Sequence, residues 1–305
     1  MDRLPADAHG LIYRAAATAV GFTDDDLARA VRRKQIVRVV RGVYAAAAER
    51  TPDQWHRLAA LASVRSGTSD APLSHQSAAV MHGLEMLEPN LRRVHRTASG
   101  GGFRSSSVHC HVDEVPDEHI DEVDGVAVTS IEYTAVDVAC SAGDFAKALA
   151  VFDSALRRGA DRDTLTLLLV RPRRGVGRAR HALHFADGSA ENPGESWSRA
   201  QMIEAGLRPP QLQHKFYDDH GNFVARTDFD WDGLLVGEFD GYIKYQKLLR
   251  PGEDVTTVVL REKAREDALR AMGIMVIRWI WDDLRTGRVV AKVRHWLVHL
   301  KLMAA

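Results

Sequence analysis

Residues 223–241 read FVARTDFDWDGLLVGEFDG. Two apolar, aromatic-rich runs flank Asp232-Gly233, a dipeptide suited to the positive-φ positions of a tight hairpin turn. One strand is expected over 223–229 and its partner over 234–240. Glu238 and Asp240 are two apart, so both project from one face of the second strand. Folding back at Asp232-Gly233 brings Asp228 close to the Glu238 and Asp240 end of its partner, and two or three carboxylates converge. Working outward, a further strand over 211–217 precedes the turn Asp218-Asp219-His220-Gly221-Asn222 and completes an antiparallel meander. Before it, Glu195-Ser196-Trp197-Ser198-Arg199 opens a helix running to about Ala205, with Gly206 as its stop. After it, Met275-Val276-Ile277-Arg278-Trp279-Ile280-Trp281 reads as a buried strand, with Asp282-Asp283 beginning the final helix. These elements make an α/β core.

Like charges placed together raise a carboxyl pKa or demand a cation. A divalent metal is the obvious compensation: Mg²⁺, or Mn²⁺, takes a few carboxylates together with waters and phosphate oxygens, which suits phosphodiester cleavage. Lys244, six residues beyond Glu238, is placed to steady an attacking hydroxide or the charge developing on phosphate. Two plainer readings stand beside this one. Glu238 and Asp240 could form a solvated strand face, or Arg199, Arg226, Arg261 and Arg265 could pair with the acids as an ion network. Trp231, Trp279, Trp281 and Trp296 are expected in the core rather than as base-stacking platforms.

At these residues the chain resembles the PD-(D/E)XK endonuclease superfamily, in particular its branch of very-short-patch repair (Vsr-like) endonucleases. The resemblance spans Glu195 to about His295 and is centred on Arg226-Thr227-Asp228-Phe229 and Val236-Gly237-Glu238-Phe239-Asp240-Gly241-Tyr242-Ile243-Lys244-Tyr245. It continues through Arg261-Glu262-Lys263-Ala264-Arg265-Glu266 and Gly273-Ile274-Met275-Val276-Ile277-Arg278-Trp279. It implies metal-binding roles for Asp228 and Glu238, with Glu195 as the acid on the opening helix. Asp240 stands where the superfamily usually has Lys, and Lys244 stands where the Vsr-like branch often has His.

The amino-terminal region has a different chemistry. Arg29, Arg32, Arg33, Lys34, Arg38 and Arg41 follow one another without an intervening acid. Thr23 is expected to cap a helix running to about Arg33, with Asp24, Asp25 and Asp26 complementing its dipole and Leu27, Ala28 and Val31 forming its apolar stripe. Residues 36–44 then alternate apolar and basic and turn at Gly42, as a short hairpin does. A helix pair followed by a basic hairpin is a winged helix-turn-helix layout, with the six cations set to hold DNA through its phosphates. His9-Gly10, Gly21-Phe22-Thr23, Arg41-Gly42-Val43-Tyr44, Leu73-Ser74-His75-Gln76-Ser77-Ala78-Ala79 and His82-Gly83-Leu84 are similar to the AbiEi-type antitoxin and regulator family. Val128-Thr129-Ser130 and Thr134-Ala135-Val136-Asp137-Val138-Ala139 extend that resemblance to about residue 165. It implies a DNA-binding winged helix followed by an α/β segment in a protein that often represses its own operon.

Between these regions no catalytic constellation stands out. On a strand, His109 and His111 point to one face and Cys110 to the other, so three ligands for one metal would need a bend. His75 and His82 share a face of a helix, where packing explains them as well as any ligand role, and Ser74 reads as an N-cap rather than a nucleophile. Arg171, Arg173, Arg174, Arg178 and Arg180 lead into a glycine-rich loop over 185–194, read as a boundary whose cations either touch phosphate or form an exposed face.

Length and composition set outer limits. A chain of 305 residues suggests two or three domains. Lys+Arg and Asp+Glu both number 41, which excludes a wholly basic coat. Two cysteines, thirty apart, exclude a disulfide framework, and no apolar run is long enough to span a bilayer, which points to a reducing cytoplasm. The expected architecture is an α/β (α+β) multidomain chain: a winged helix-turn-helix over 1–50, a middle α/β scaffold and linker over 51–186, and a restriction-endonuclease-like mixed sheet flanked by helices over 187–305. Two functions follow from it. One is a metal-dependent DNA endonuclease; the other is an AbiEi-like repressor whose nuclease fold is inactive and whose partner is a cognate toxin or a second copy of itself.

Overall fold

The computed structural model describes residues 4–67, 69–241 and 255–304, and these divide into two compact units. The first comprises residues 1–84 and 88–138, the second 85–87 and 139–305. Mixed α/β structure runs through both.

The first unit opens with β1 (Leu11–Tyr13), α1 (Arg14–Ala19), α2 (Asp24–Arg32), β2 (Ile36–Val40) and β3 (Val43–Ala46). Among the described residues these strands form a three-stranded sheet in the order β1-β3-β2, antiparallel throughout. The start of α2 is fixed by a reciprocal cap: Thr23 Oγ1 accepts the Asp26 N–H, and Asp26 Oδ2 accepts the Thr23 N–H. The inward stripe of α2 differs from the expected one. Leu27 and Ala30 are buried with Ile12, Ala17, Ile36 and Tyr44, whereas Ala28 is exposed and Val31 is 37% exposed. The helix has rotated its apolar face by one position, because its support lies under the 27/30 edge. Gly42, at φ +76°, makes the two-residue turn between β2 and β3.

α3 (Pro52–Arg65) and α4 (His75–His82) pack against β4 (Val94–Ala98), which with β5 (Phe103–Arg104) and β6 (Val108–Val112) forms a sheet in the order β4-β6-β5, with β4 and β6 parallel. The hairpin β7 (Ile120–Val123) and β8 (Val126–Thr129) follows, then α5 (Ile131–Ser141). Ser74 does occupy the N-cap position of α4, but its hydroxyl makes no cap; it accepts a hydrogen bond from Thr97 Oγ1 at 2.8 Å. His82 Nε2 bonds the Thr129 carbonyl at 2.7 Å.

The second unit carries α6 (Phe145–Arg157), α7 (Arg162–Leu168), α8 (Val176–Phe185) and α9 (Pro193–Glu204). β9 (Gln211–Tyr217), β10 (Phe223–Trp231), β11 (Leu235–Asp240), α10 (Val255–Ala271), β12 (Met275–Ile280), α11 (Trp281–Arg285) and α12 (Arg288–His299) complete it. The described strands form a four-stranded sheet in the order β12-β11-β10-β9, in which β9, β10 and β11 are the antiparallel meander and β12 runs parallel to β11. Parallel strands need a crossover, and here it passes through α10. Phe229, Trp231, Phe239 and Trp279 pack against Met202, Val289, Val293 and Leu297 in one core, while Phe216, Val236, Leu269 and Ile274 form another. Trp231 and Trp279 are 1% exposed, as expected of core residues. The carboxy-terminal end departs from expectation. Trp281 leaves the strand to begin the short α11, and the final helix starts only at Arg288, after Gly287 breaks the run at φ +69°.

Two of the arginines before α9 are committed to backbone carbonyls: Arg180 donates to Leu169 and Val170 just past α7, and Arg178 donates to Ala142 just past α5. The glycine-rich loop is equally tied, since Ala186 and Ala190 are buried and the Asp187 N–H donates to Asp153. Among the described residues no helix is long and apolar enough to cross a membrane.

Candidate functional site

Three sequence-predicted acids gather around the start of α9 and the middle of the second unit's sheet. Asn192 caps α9, its Oδ1 accepting the Gly194 and Glu195 N–H groups, so Glu195 leaves from the first turn. Gly194 allows that turn to lie against β11: a Cβ there would sit 2.0 Å from the Phe239 ring. Asp228 is fixed from β11, where the Phe239 N–H donates to its Oδ2 at 2.8 Å. Glu238 is 7% exposed and Glu195 2%.

Gln213 joins two of them. Its Nε2 donates to Glu195 Oε2 at 3.2 Å and to Asp228 Oδ1 at 3.4 Å. Its backbone is left-handed, φ +52°, a conformation that costs a non-glycine residue on the order of 1 kcal/mol and so marks a position held by its surroundings. Burial, reinforced by the charge on Asp228, pushes Glu195 up to about 8 and Glu238 up to about 7; burial raises Asp228 as well. Arg265 on α10 approaches Glu238 Oε1 at 3.3 Å, and Arg278 on β12 approaches Asp240 Oδ1 at 3.5 Å. Arg226 instead pairs with Glu191, and Arg199 with Asp153. The ion network foreseen around the acids therefore exists at Arg265, while Arg199 and Arg226 serve other partners. Asp230 lies apart in role, accepting from the Gly233 N–H and facing His214 Nδ1 at 2.6 Å.

Once deprotonated, these clustered carboxylates offer a hard oxygen donor set of the kind Mg²⁺ or Mn²⁺ accepts. Their oxygens are spread more widely than in a closed coordination shell: among the described residues, Glu195, Asp228 and Glu238 do not form a trio with ligand atoms all within 4.8 Å of one another. Lys244 lies outside the described residues.

Gln213 and Arg278 escaped sequence reasoning. A bulge between Phe223 and Ala225 shifts the β9–β10 pairing by one residue, which puts Gln213 between the partners of Phe229 and Thr227, across from Asp228. Counting back from the 218–222 turn without that bulge would have placed Leu212 there.

The six amino-terminal cations lie on α2, its C-terminal turn and the β2–β3 hairpin, and all are exposed. Arg29 is paired with Asp26 at 2.9 Å. Arg38 lies over the Tyr44 ring, 5.8 Å from its centroid. Arg32, Arg33, Lys34 and Arg41 have no carboxylate partner among the described residues.

Fold and site together define a two-unit α/β protein with an exposed cation patch in one unit and a buried carboxylate cluster in the other. The chain belongs to the same family as the uncharacterized protein Rv2248 of Mycobacterium tuberculosis strain H37Rv, to which it is 35% identical over 272 residues covering 87% of this chain and 94% of that one. The uncharacterized protein MT2308 of strain CDC 1551 matches with the same figures. Among solved structures, the RV2827C protein of M. tuberculosis is similar at 19% identity and a TM-score of 0.39, over 70% of this chain and 84% of that one. No family model matches the chain.

Proposed function

We propose that the protein binds DNA through the winged-helix-like start of its first unit and cleaves phosphodiester bonds at the carboxylates of its second, as a metal-dependent endonuclease of the Vsr-like PD-(D/E)XK kind. The observation that carries this reading is the meeting of Glu195, Asp228 and Glu238, from one helix and two strands, at a buried place where all three carboxyl groups hold their protons more firmly than usual. Helix, three antiparallel strands, crossover helix and parallel strand in that order also support it. Asp228 and Glu238 would hold Mg²⁺ or Mn²⁺, which supplies positive charge to the scissile phosphate. Glu195, whose protonated form burial favours, would support that site from α9, and Asp240 would extend the acidic face. Arg32, Arg33, Lys34, Arg38 and Arg41 would meet the DNA backbone, with Arg29 partly spent on Asp26. A cytoplasmic home agrees with Cys110 and Cys140 being outside any disulfide.

The test is nicking of supercoiled plasmid with Mg²⁺ or Mn²⁺ beside Glu238→Gln and an EDTA control. Nicking confined to the untreated wild type is expected; identical nicking by the variant would overturn the assignment. The second reading, a repressor whose nuclease fold is inactive and whose partner is a toxin or a second copy, is favoured by one feature. Gln213, Arg265 and Arg278 already serve the acids with an amide and two guanidinium groups. A plasmid that is shifted on a gel and never cut would select it.

A further inference from the structure

In the first unit β4 and β6 run side by side with His95 beside His109 and Thr97 beside His111. Neighbours across a parallel pair share a face, as do residues two apart, so His95, His109 and His111 emerge together while Cys110 turns into the core. The bend that one strand would have needed to gather three ligands is unnecessary, because β4 supplies the third. One ring nitrogen of each histidine lies within 4.8 Å of those of the other two, and His95 Nδ1 is 2.9 Å from His111 Nε2. Tetrahedral zinc holds imidazole nitrogens at ~2.0–2.1 Å and hence ~3.4 Å from one another, so adjustment of side-chain torsions closes this trio around one ion.

The surroundings point the same way. His75 stacks on His111 with centroids 3.7 Å apart and planes 8° from parallel, and its Nδ1 is 3.4 Å from Asp137 Oδ2. Asp137 holds the His75 ring from behind, and His75 in turn sets the plane of His111 by stacking on it. The His75 backbone is held at φ +50°, so the fold keeps this ring over the trio against local preference.

We propose that His95, His109 and His111 form a binding site for a late first-row divalent cation, Zn²⁺ in the cell, with His75 and Asp137 as its supporting pair. Imidazole donors favour zinc, copper and nickel over Mg²⁺, so this site and the carboxylates of the second unit differ in the metal they accept.

Tag-free full-length protein, stripped with EDTA and dialysed, is titrated with Zn²⁺ by calorimetry, and the bound metal is counted by mass spectrometry. Co²⁺ serves as a spectroscopic probe of nitrogen ligation. One Zn²⁺ per chain is expected, with binding weakened at least tenfold in His109→Ala and in His95→Gln and unchanged in Glu238→Gln. Circular dichroism and thermal melts of the metal-free variants establish that each is folded; His109→Ala is the variant that decides if His95→Gln does not fold. Absence of stoichiometric Zn²⁺ at micromolar concentration, or wild-type binding by a folded His109→Ala, overturns the proposal and leaves a neutral, hydrogen-bonded histidine stack.

Discussion

Arg199 on α9 and Asp153 on α6 form an ion pair at 2.8 Å with the carboxylate fully shielded from solvent. The Ser196 hydroxyl donates to the same oxygen and the Asp187 N–H to the other, so the carboxylate is held from α9 and from the loop before it. This cluster fastens the helix that carries Glu195. Removing one member of a buried pair strands the other charge, at a cost of about 3–5 kcal/mol. Arg199→Met is therefore expected to lower unfolding free energy by that amount in urea denaturation, with Arg199→Lys recovering part of it. A loss below about 1 kcal/mol would show that the pair does not anchor α9.

Without a divalent cation, stability should fall as pH rises. Glu195 at about 8 and Glu238 at about 7 bind protons in the folded state that an unfolded glutamate has already lost. The folded state therefore carries the extra protons between about pH 4.5 and 8, and raising the pH across that window favours unfolding. A rise of one pH unit in a pKa is worth about 1.4 kcal/mol. Glu195→Gln should flatten the decline, as measured by urea unfolding at pH 5.5, 7 and 8.5 in EDTA. An unchanged slope would mean that Glu195 titrates as an ordinary carboxylate.

The phosphate contact proposed for the amino-terminal cations would have a salt signature. Each lost contact should reduce the slope of log affinity against log salt by about 0.9. Arg33→Ala and Arg41→Ala are expected to show this by fluorescence anisotropy on duplex DNA, whereas Arg29→Ala, already paired with Asp26, should change the slope less. Equal slopes in all three variants would remove these side chains from the interface.

The reciprocal cap at Thr23 and Asp26 is a local stability term. Thr23→Ala should cost about 1 kcal/mol, whereas Thr23→Ser keeps the capping hydroxyl and should leave stability unchanged. Thermal melts of the two variants would separate loss of the hydroxyl from loss of the methyl group.

The meander, the hairpin at Asp232-Gly233 and the capped α2 were legible because each depends on neighbours in sequence: alternation, a turn dipeptide, a capping residue. The convergence of Asp228 and Glu238 was legible for the same reason, since one hairpin carries both. Gln213 was not, because a one-residue bulge decides which side chain faces Asp228. Nor was the inward face of α2, where Ala30 replaced Ala28 and Val31 in the core: both choices satisfy helical spacing, and only the tertiary support distinguishes them. The histidine trio was half legible. Two of its members stand on one strand face, but the third comes from a strand whose parallel register no local pattern announces.

The close approach of Gly194 to the Phe239 ring links two positions that are forty-five residues apart. Any side chain at 194 needs a smaller one at 239, and the helix end bearing Glu195 shifts if only one of them changes. Across the family these two positions should accordingly vary together, and a member with a residue larger than glycine at the first and an aromatic ring at the second would have its acidic cluster drawn apart. Such a natural variant would be a ready-made control, with the same donors in the same chain but no shared focus.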